Sequence, residues 1–161
     1  MYLYIDPDKC TGCGLCELAC SFHHEKYFSP SLSRIGVLRN HQKGIFIPLN
    51  CTQCEEPICE LTCPLGAITR NPKTGALEVN DDRCQGCKMC VLVCPLGGIE
   101  LSKTKGIAVK CDLCDGEPEC VKFCATGALE IIHDEQLIQV KKKKSFMRMA
   151  LELTALSGQI E

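Results

Sequence analysis

The chain contains no tryptophan, and aromatic residues make up only 5% of its 161 positions. Ring side chains supply much of an ordinary core, so other material must fill this interior. No uninterrupted apolar run approaches the roughly 20 residues that a membrane-crossing helix needs, so no membrane span is expected. The N-terminus, M-Y-L-Y-I-D-P-D-K, lacks a basic stretch followed by an apolar run and lacks a twin-arginine pattern. A cytoplasmic location is therefore the expectation. Also missing are a P-loop, a dinucleotide-type glycine pattern and a nucleophile–base motif, so no catalytic residue is expected.

What the chain has in excess is cysteine. Sixteen are present in 161 residues, a density that marks either a disulfide scaffold or a metal scaffold. All sixteen fall into four groups of four, each opening with C-x2-C. With no export signal in view, such thiols read as metal ligands rather than disulfides.

The third group, Cys84, Cys87, Cys90 and Cys94 followed by Pro95, has the spacing C-x2-C-x2-C-x3-C-P. Three thiolates this close on one loop can hold three corners of a [4Fe-4S] cube, while the fourth, a helical turn later, ligates a neighbouring cluster. The first group, Cys10, Cys13, Cys16 and Cys20, keeps that spacing but has Ser21 in the proline position. The second is Cys51, Cys54, Cys59 and Cys63 followed by Pro64, with four residues in its middle gap. The fourth is Cys111, Cys114, Cys120 and Cys124, with five residues in that gap and Ala125 in the proline position.

The two kinds of quartet alternate, and so do their surroundings. L-Y-I-D-P-D-K-C-T-G-C leads into the first and L-E-V-N-D-D-R-C-Q-G-C into the third, which argues for internal duplication. A zinc-structured interaction module is the alternative from another class, but structural zinc takes its ligands from two separated knuckles, whereas these quartets suit a cube. A [3Fe-4S] variant would need a missing cysteine, and none is missing. The expectation is four [4Fe-4S] clusters with every iron capped, moving electrons without chemistry of their own, in a chain that is largely unfolded without them. Oxidised clusters with their thiolates take the formal charge of −2 to roughly −10, so nucleic acid is not an expected partner.

Short alternating runs on either side of turn residues predict hairpins: 67–70 with 76–79, 99–101 with 107–109, and 129–132 with 137–140. Helical turns are predicted over 15–20, 58–63, 89–94 and 119–124, each ending on the cysteine given to a partner cluster. Gly12 and Gly86, inside C-x-G-C, are expected to let the backbone approach the cluster closely. Leu15, Ile58, Leu61, Met89, Val91 and Leu113 are expected to exclude water from the cubes and keep the potentials low. His23 and His24 suggest a surface or interface role, with redox tuning as the lesser reading. Residues 21–46 interrupt the repeat, as a partner-facing insertion would. After Lys141–Lys144 the apolar residues Phe146, Met149, Ala150, Leu153 and Leu156 recur at helical spacing between Ser145 and Gly158. That pattern predicts an amphipathic docking helix, with self-association or binding to another subunit as its use.

On these motifs residues 1–140 resemble the four-cluster ferredoxin-type electron-transfer subunits that accompany molybdenum and tungsten bis-pterin oxidoreductases and related complexes. Among them the chain looks most like the small cytoplasmic members serving tungsten aldehyde or aromatic-acid oxidoreductases, enzymes of anaerobic metabolism. The resemblance implies an α+β fold of tandem bacterial-ferredoxin-like units, each a pseudo-twofold lobe holding two clusters, with short β-hairpins and a C-terminal helix. It divides the chain into a four-cluster domain, 1–140, and a basic linker with docking helix, 141–161. It also implies that the first quartet pairs with the fourth and the second with the third. One cluster would then sit on Cys10, Cys13, Cys16 and Cys124, and its neighbour on Cys111, Cys114, Cys120 and Cys20. A third would sit on Cys51, Cys54, Cys59 and Cys94, and a fourth on Cys84, Cys87, Cys90 and Cys63. The implied partners are a catalytic oxidoreductase subunit carrying a tungsten or molybdenum pterin and a second redox partner, such as a flavin subunit, a quinone-linked chain or a ferredoxin. A free-standing polyferredoxin is the other reading.

Overall fold

The computed structural model describes residues 1–133 together with residues 136, 138 and 146. Strand β1 (Tyr2–Ile5) leads through a 3-10 turn into the first cysteine loop, which enters helix α1 (Leu15–Glu25). Strands β2 (Ile35–Asn40) and β3 (Ile45–Asn50) carry the chain to the second loop and helix α2 (Ile58–Leu61). Strands β4 (Ile68–Arg70) and β5 (Leu77–Val79) precede the third loop and helix α3 (Met89–Val93). Strands β6 (Ile99–Leu101) and β7 (Ala108–Lys110) precede the fourth loop, helix α4 (Glu119–Lys122) and strand β8 (Leu129–Ile132). The result is a small α+β ferredoxin-like fold of short helices and two-stranded antiparallel ribbons.

Three ribbons are local hairpins, β2–β3, β4–β5 and β6–β7. The fourth joins the two ends of the repeat, with Tyr2 opposite Ile132 and Ile5 opposite Leu129. The sequence pattern assigned β8 to a hairpin with 137–140; the structure pairs it with β1 instead. The duplication supplies the reason, since the strand entering the first loop takes the place that β5 and β7 take in the other units. Residues 137, 139 and 140 of the expected second arm lie outside the described residues, as does the predicted C-terminal helix apart from Phe146.

Cysteine takes the place of aromatic residues in the interior. One buried cluster consists of Cys16, Cys20, Ile35, Cys120 and Leu129, with Cys124 packed against it. The other consists of Ile68, Leu77, Cys90, Ile99 and Ala108, with Cys59, Cys63, Cys84 and Cys94 packed against it. The first and fourth quartets thus share one core and the second and third share the other.

Helix α1 runs past the expected boundary at Cys20 to Glu25, ending where Lys26 turns left-handed (φ 61°). The cause is Ser21. A proline here would lack the amide that an interior helical turn uses and would clash with the preceding turn. Ser21 instead is fully buried, donates its hydroxyl to the Leu18 carbonyl at 3.1 Å and accepts the Ser29 amide at 3.1 Å. The helix extension begins the 21–46 insertion, which is tied back onto its own lobe. The buried Glu17 carboxylate accepts the Val37 amide at 2.9 Å and pairs with Arg39, while Arg34 pairs with Asp112 beside the fourth loop.

Candidate iron-sulfur centres

The thiols gather in the expected groups to different degrees. Cys63, Cys84, Cys87 and Cys90 line one small cavity walled by Ile68, Met89 and Ala108. Cys51, Cys54, Cys59 and Cys94 line a second, walled by Ile58, Leu77 and Ile99. In each, three thiols come from one loop and the fourth from the end of the partner helix. In the other lobe Cys20 stands close enough to Cys111, Cys114 and Cys120 for its charge to act on all three. Cys10 and Cys13 act on Cys16 in the same way. Cys124 packs against the core cluster that contains Cys16.

Burial dominates the electrostatics of the bare thiols. It pushes Cys16 up to about 11 and Cys114 up to about 12, and raises Cys59, Cys90, Cys111 and Cys120 as well. Cys63 and Cys124 go the other way. For Cys63 burial pushes upward, but the amides of Ala67, Leu65, Ile68 and Gly66 outweigh it. For Cys124 burial is outweighed by the Leu129 amide, the Thr126 hydroxyl and the Ala128 amide. Both are the last cysteine of a quartet. The following turn wraps amides around the sulfur, as in Ala67 N–H to Cys63 Sγ at 3.3 Å and Gly98 N–H to Cys94 Sγ at 3.3 Å. Cys20 has no such turn because α1 continues past it; the Arg34 amide from the insertion donates to its Sγ at 3.3 Å instead. The loss of proline after Cys20 is therefore compensated within the lobe.

The surroundings fit [4Fe-4S] clusters. Each cavity presents four soft sulfur donors among apolar walls, and the asparagine ahead of the second loop offers a spare hydrogen-bond donor. Asn50 Nδ2 is buried without a hydrogen-bond partner among the described residues and stands beside the Cys111 thiol, where it works against the burial that raises that thiol. Such a donor suits an acceptor sulfur. Gly12 and Gly86 have φ of 71° and 65°, the left-handed region. A Cβ on Gly12 would run into the Phe46 ring and one on Gly86 into the Gly106 carbonyl, so the close approach they permit is to protein as well as to a cluster. Gly98, which the motifs did not single out, needs the same freedom of space, since a Cβ there would stand 2.7 Å from Cys51 Cα.

Of the two histidines, His24 is not a surface residue. Its side chain is 9% exposed, 3.5 Å from Asp112 and 3.8 Å from Cys114 Sγ, and burial together with the Arg34 charge lowers it to about 4. Leu113 is fully buried as expected, whereas Leu61 is 80% exposed and Leu15, Ile58 and Met89 are each more than 40% exposed. Of these, Ile58 and Met89 line the cysteine cavities. Among the described residues no helix is long and apolar enough to cross a membrane.

Four cysteine quartets in two interlocked pairs define an iron-sulfur protein of the electron-carrying kind. This protein belongs to the 4Fe-4S dicluster domain family, whose model matches residues 42–134, and a 4Fe-4S binding domain matches residues 3–23. It is similar to the polyferredoxin-like subunit of the aliphatic sulfonate oxidoreductase of Pyrococcus furiosus, with 44% identity over 95 residues, 59% of this chain and 54% of that protein. It is also similar to formate hydrogenlyase subunit 2 of Escherichia coli, with 35% identity over 108 residues, 67% of this chain and 51% of that protein. The B polypeptide of the anaerobic dimethyl sulfoxide reductase of Escherichia coli is 34% identical over 115 residues, 64% of this chain and 56% of that protein. The chain thus spans about half the length of these curated relatives. Among solved structures, a polypeptide of the active site complex BamBC of benzoyl coenzyme A reductase is 30% identical, with 89% of this chain and 88% of that one covered and a TM-score of 0.47.

Proposed function

We propose that this protein is the electron-transfer subunit of an oxidoreductase complex whose catalytic subunit carries a tungsten or molybdenum pterin. Its four [4Fe-4S] clusters form a wire from that subunit to a second redox partner, such as a flavin subunit or a ferredoxin. Each cluster, when bound, takes up and releases single electrons; the protein supplies the capping thiolates, the amides that stabilise them and the apolar walls. The ligand sets are Cys10, Cys13, Cys16 and Cys124; Cys111, Cys114, Cys120 and Cys20; Cys51, Cys54, Cys59 and Cys94; and Cys84, Cys87, Cys90 and Cys63. The observation that carries this reading is the pair of cavities each lined by three thiols of one quartet and the last thiol of its partner. With every iron capped, no coordination position is left for a substrate.

The relatives support the complex, since those just described are components of oxidoreductases and of a lyase. Exposed rings support a protein partner too: Phe22 stacks on Phe28 at 4.5 Å, and Phe28 and Tyr27 are both about 70% exposed, a concentration of apolar surface of the kind that marks docking sites. We take residues 1–140 as the cluster domain in two lobes; the basic linker and docking helix expected over 141–161 lie outside the described residues apart from Phe146.

Two measurements test the proposal. Anaerobically purified protein should contain sixteen iron and sixteen sulfide per chain, the number that four cubes on the sixteen cysteines require; two to four zinc and no sulfide would replace the wire with a zinc module. Affinity purification from the native cell should bring down a pterin-containing subunit, and removal of residues 145–161 should release it without loss of iron. Recovery of the full-length protein alone would leave a free-standing polyferredoxin.

A further inference from the structure

Lys110 sits where its strand calls for an apolar side chain. In β7 it shares the inward row with Ala108 and stands opposite Ile99, and it is 3% exposed, against 2% for each of those two. A buried ammonium is costly unless a counter-charge meets it. Its Nζ donates to the Leu77 carbonyl, to the Cys111 carbonyl at 3.3 Å and to Gln53 Oε1 at 3.4 Å, and all three acceptors are neutral. No carboxylate of the described residues lies within ion-pair distance of it.

Gln53 completes the network. It is 3% exposed with φ 54°; its Nε2 donates to the Cys111 carbonyl at 2.7 Å and its Oε1 accepts the Leu77 amide at 2.8 Å. The group therefore stitches the loop that carries Cys51 and Cys54 to the start of the fourth loop, across the boundary between the two cysteine-rich cores. Glu78, Asp81, Asp112 and Asp115 line a cavity with Lys110 but do not pair with it, and thiols face it from another side. It lines the cavity of Cys51, Cys54, Cys59 and Cys94, and its charge pulls Cys59 down against the effect of burial.

We propose that Lys110 is a redox-tuning cation at the seam between the lobes. Its fixed positive charge offsets the thiolates of the Cys51–Cys54–Cys59–Cys94 site and raises the potential at which that site accepts an electron. The inference rests on the ligand sets proposed above. An added electron makes the site more negative, so a nearby cation stabilises the reduced form more than the oxidised one, and burial keeps solvent from screening it. Lys110 thereby sets the height of the step where electrons pass from one lobe to the other.

EPR-monitored redox titration of the full-length protein tests this, with iron measured in parallel on wild type, Lys110→Met, Lys110→Gln and Lys110→Arg. The signal of the site is identified as the one perturbed by Cys59→Ser. In the two neutral variants that signal should titrate at a more negative potential than in wild type, with the largest shift of the four, while Lys110→Arg should stay near wild type. Unchanged midpoints in neutral variants that retain full iron would overturn the proposal. If the neutral variants lose a cluster, the arginine variant decides: restored iron and potential uphold a role of charge, and equal loss assigns Lys110 to packing and overturns it. Failure of the wild type to hold iron and sulfide would instead remove the ligand sets, which is a separate result.

Discussion

A single cysteine can report which lobe it serves. Cys20 stands at the end of the first quartet's sequence yet beside the thiols of Cys111, Cys114 and Cys120. Replacing Cys20 by Ala should damage the cluster of the fourth quartet and spare the first quartet's own. EPR of the reduced variant checks this, and loss of the first-quartet signal would contradict the pairing. The spacing C-x2-C-x2-C-x3-C made it legible that the last thiol serves another cluster, while the choice of the fourth quartet as its partner came from the family resemblance. The environment of the residue was not legible. Nothing in the motif shows that the Arg34 amide, fourteen positions away in the chain, hydrogen-bonds the Cys20 sulfur. The burial of the His24 side chain, for which the sequence suggested a surface or interface role, was not legible for a related reason: it depends on Asp112 and Cys114, far along the chain.

Helix α1 shows how one substitution changes an element. Ser21, in the position where two of the quartets have proline, allows the helix to continue to Glu25 and ties the extension to Ser29, while Glu17 in the first turn of the same helix holds the hairpin β2–β3 through Arg39. Ser21→Pro should break the helix at a cost of about 3 kcal/mol or more and loosen the insertion. Ser21→Ala should cost about 1 kcal/mol, because the part-buried Ser29 amide loses its acceptor. Chemical denaturation of the iron-loaded protein measures both, and a proline variant as stable as wild type would show that the helix extension contributes nothing. The hairpins β4–β5 and β6–β7 were readable within a residue at each end, since both arms and the turn lie close together in sequence. The partner of β8 was not, because β1 is at the far end of the chain and local alternation carries no information about distant pairing.

At the scale of the whole molecule, burial raises the thiols of Cys16, Cys111, Cys114 and Cys120 above the ordinary cysteine value. A cluster needs thiolates, so loading releases protons. Acid should therefore favour the empty protein, and alkali the loaded one. Loss of the visible absorbance to a chelator should be faster at pH 6 than at pH 8, and the emptied chain should lose most of its circular dichroism, since cysteines lie within or against both cores. A stripped chain that keeps its secondary structure would show that the apolar residues suffice alone.

The cofactor type, the number of quartets and the duplication were determined by sequence alone, because ligand spacing along one loop is a local property that a cube either fits or does not. Tertiary structure decided what faces each sulfur: the amide given to Cys20, the donor Asn50 beside Cys111 and the buried Lys110 at the seam. Those contacts join segments remote in the chain. Only the folded packing of the two lobes brings their charges and hydrogen bonds within the few ångströms at which they act.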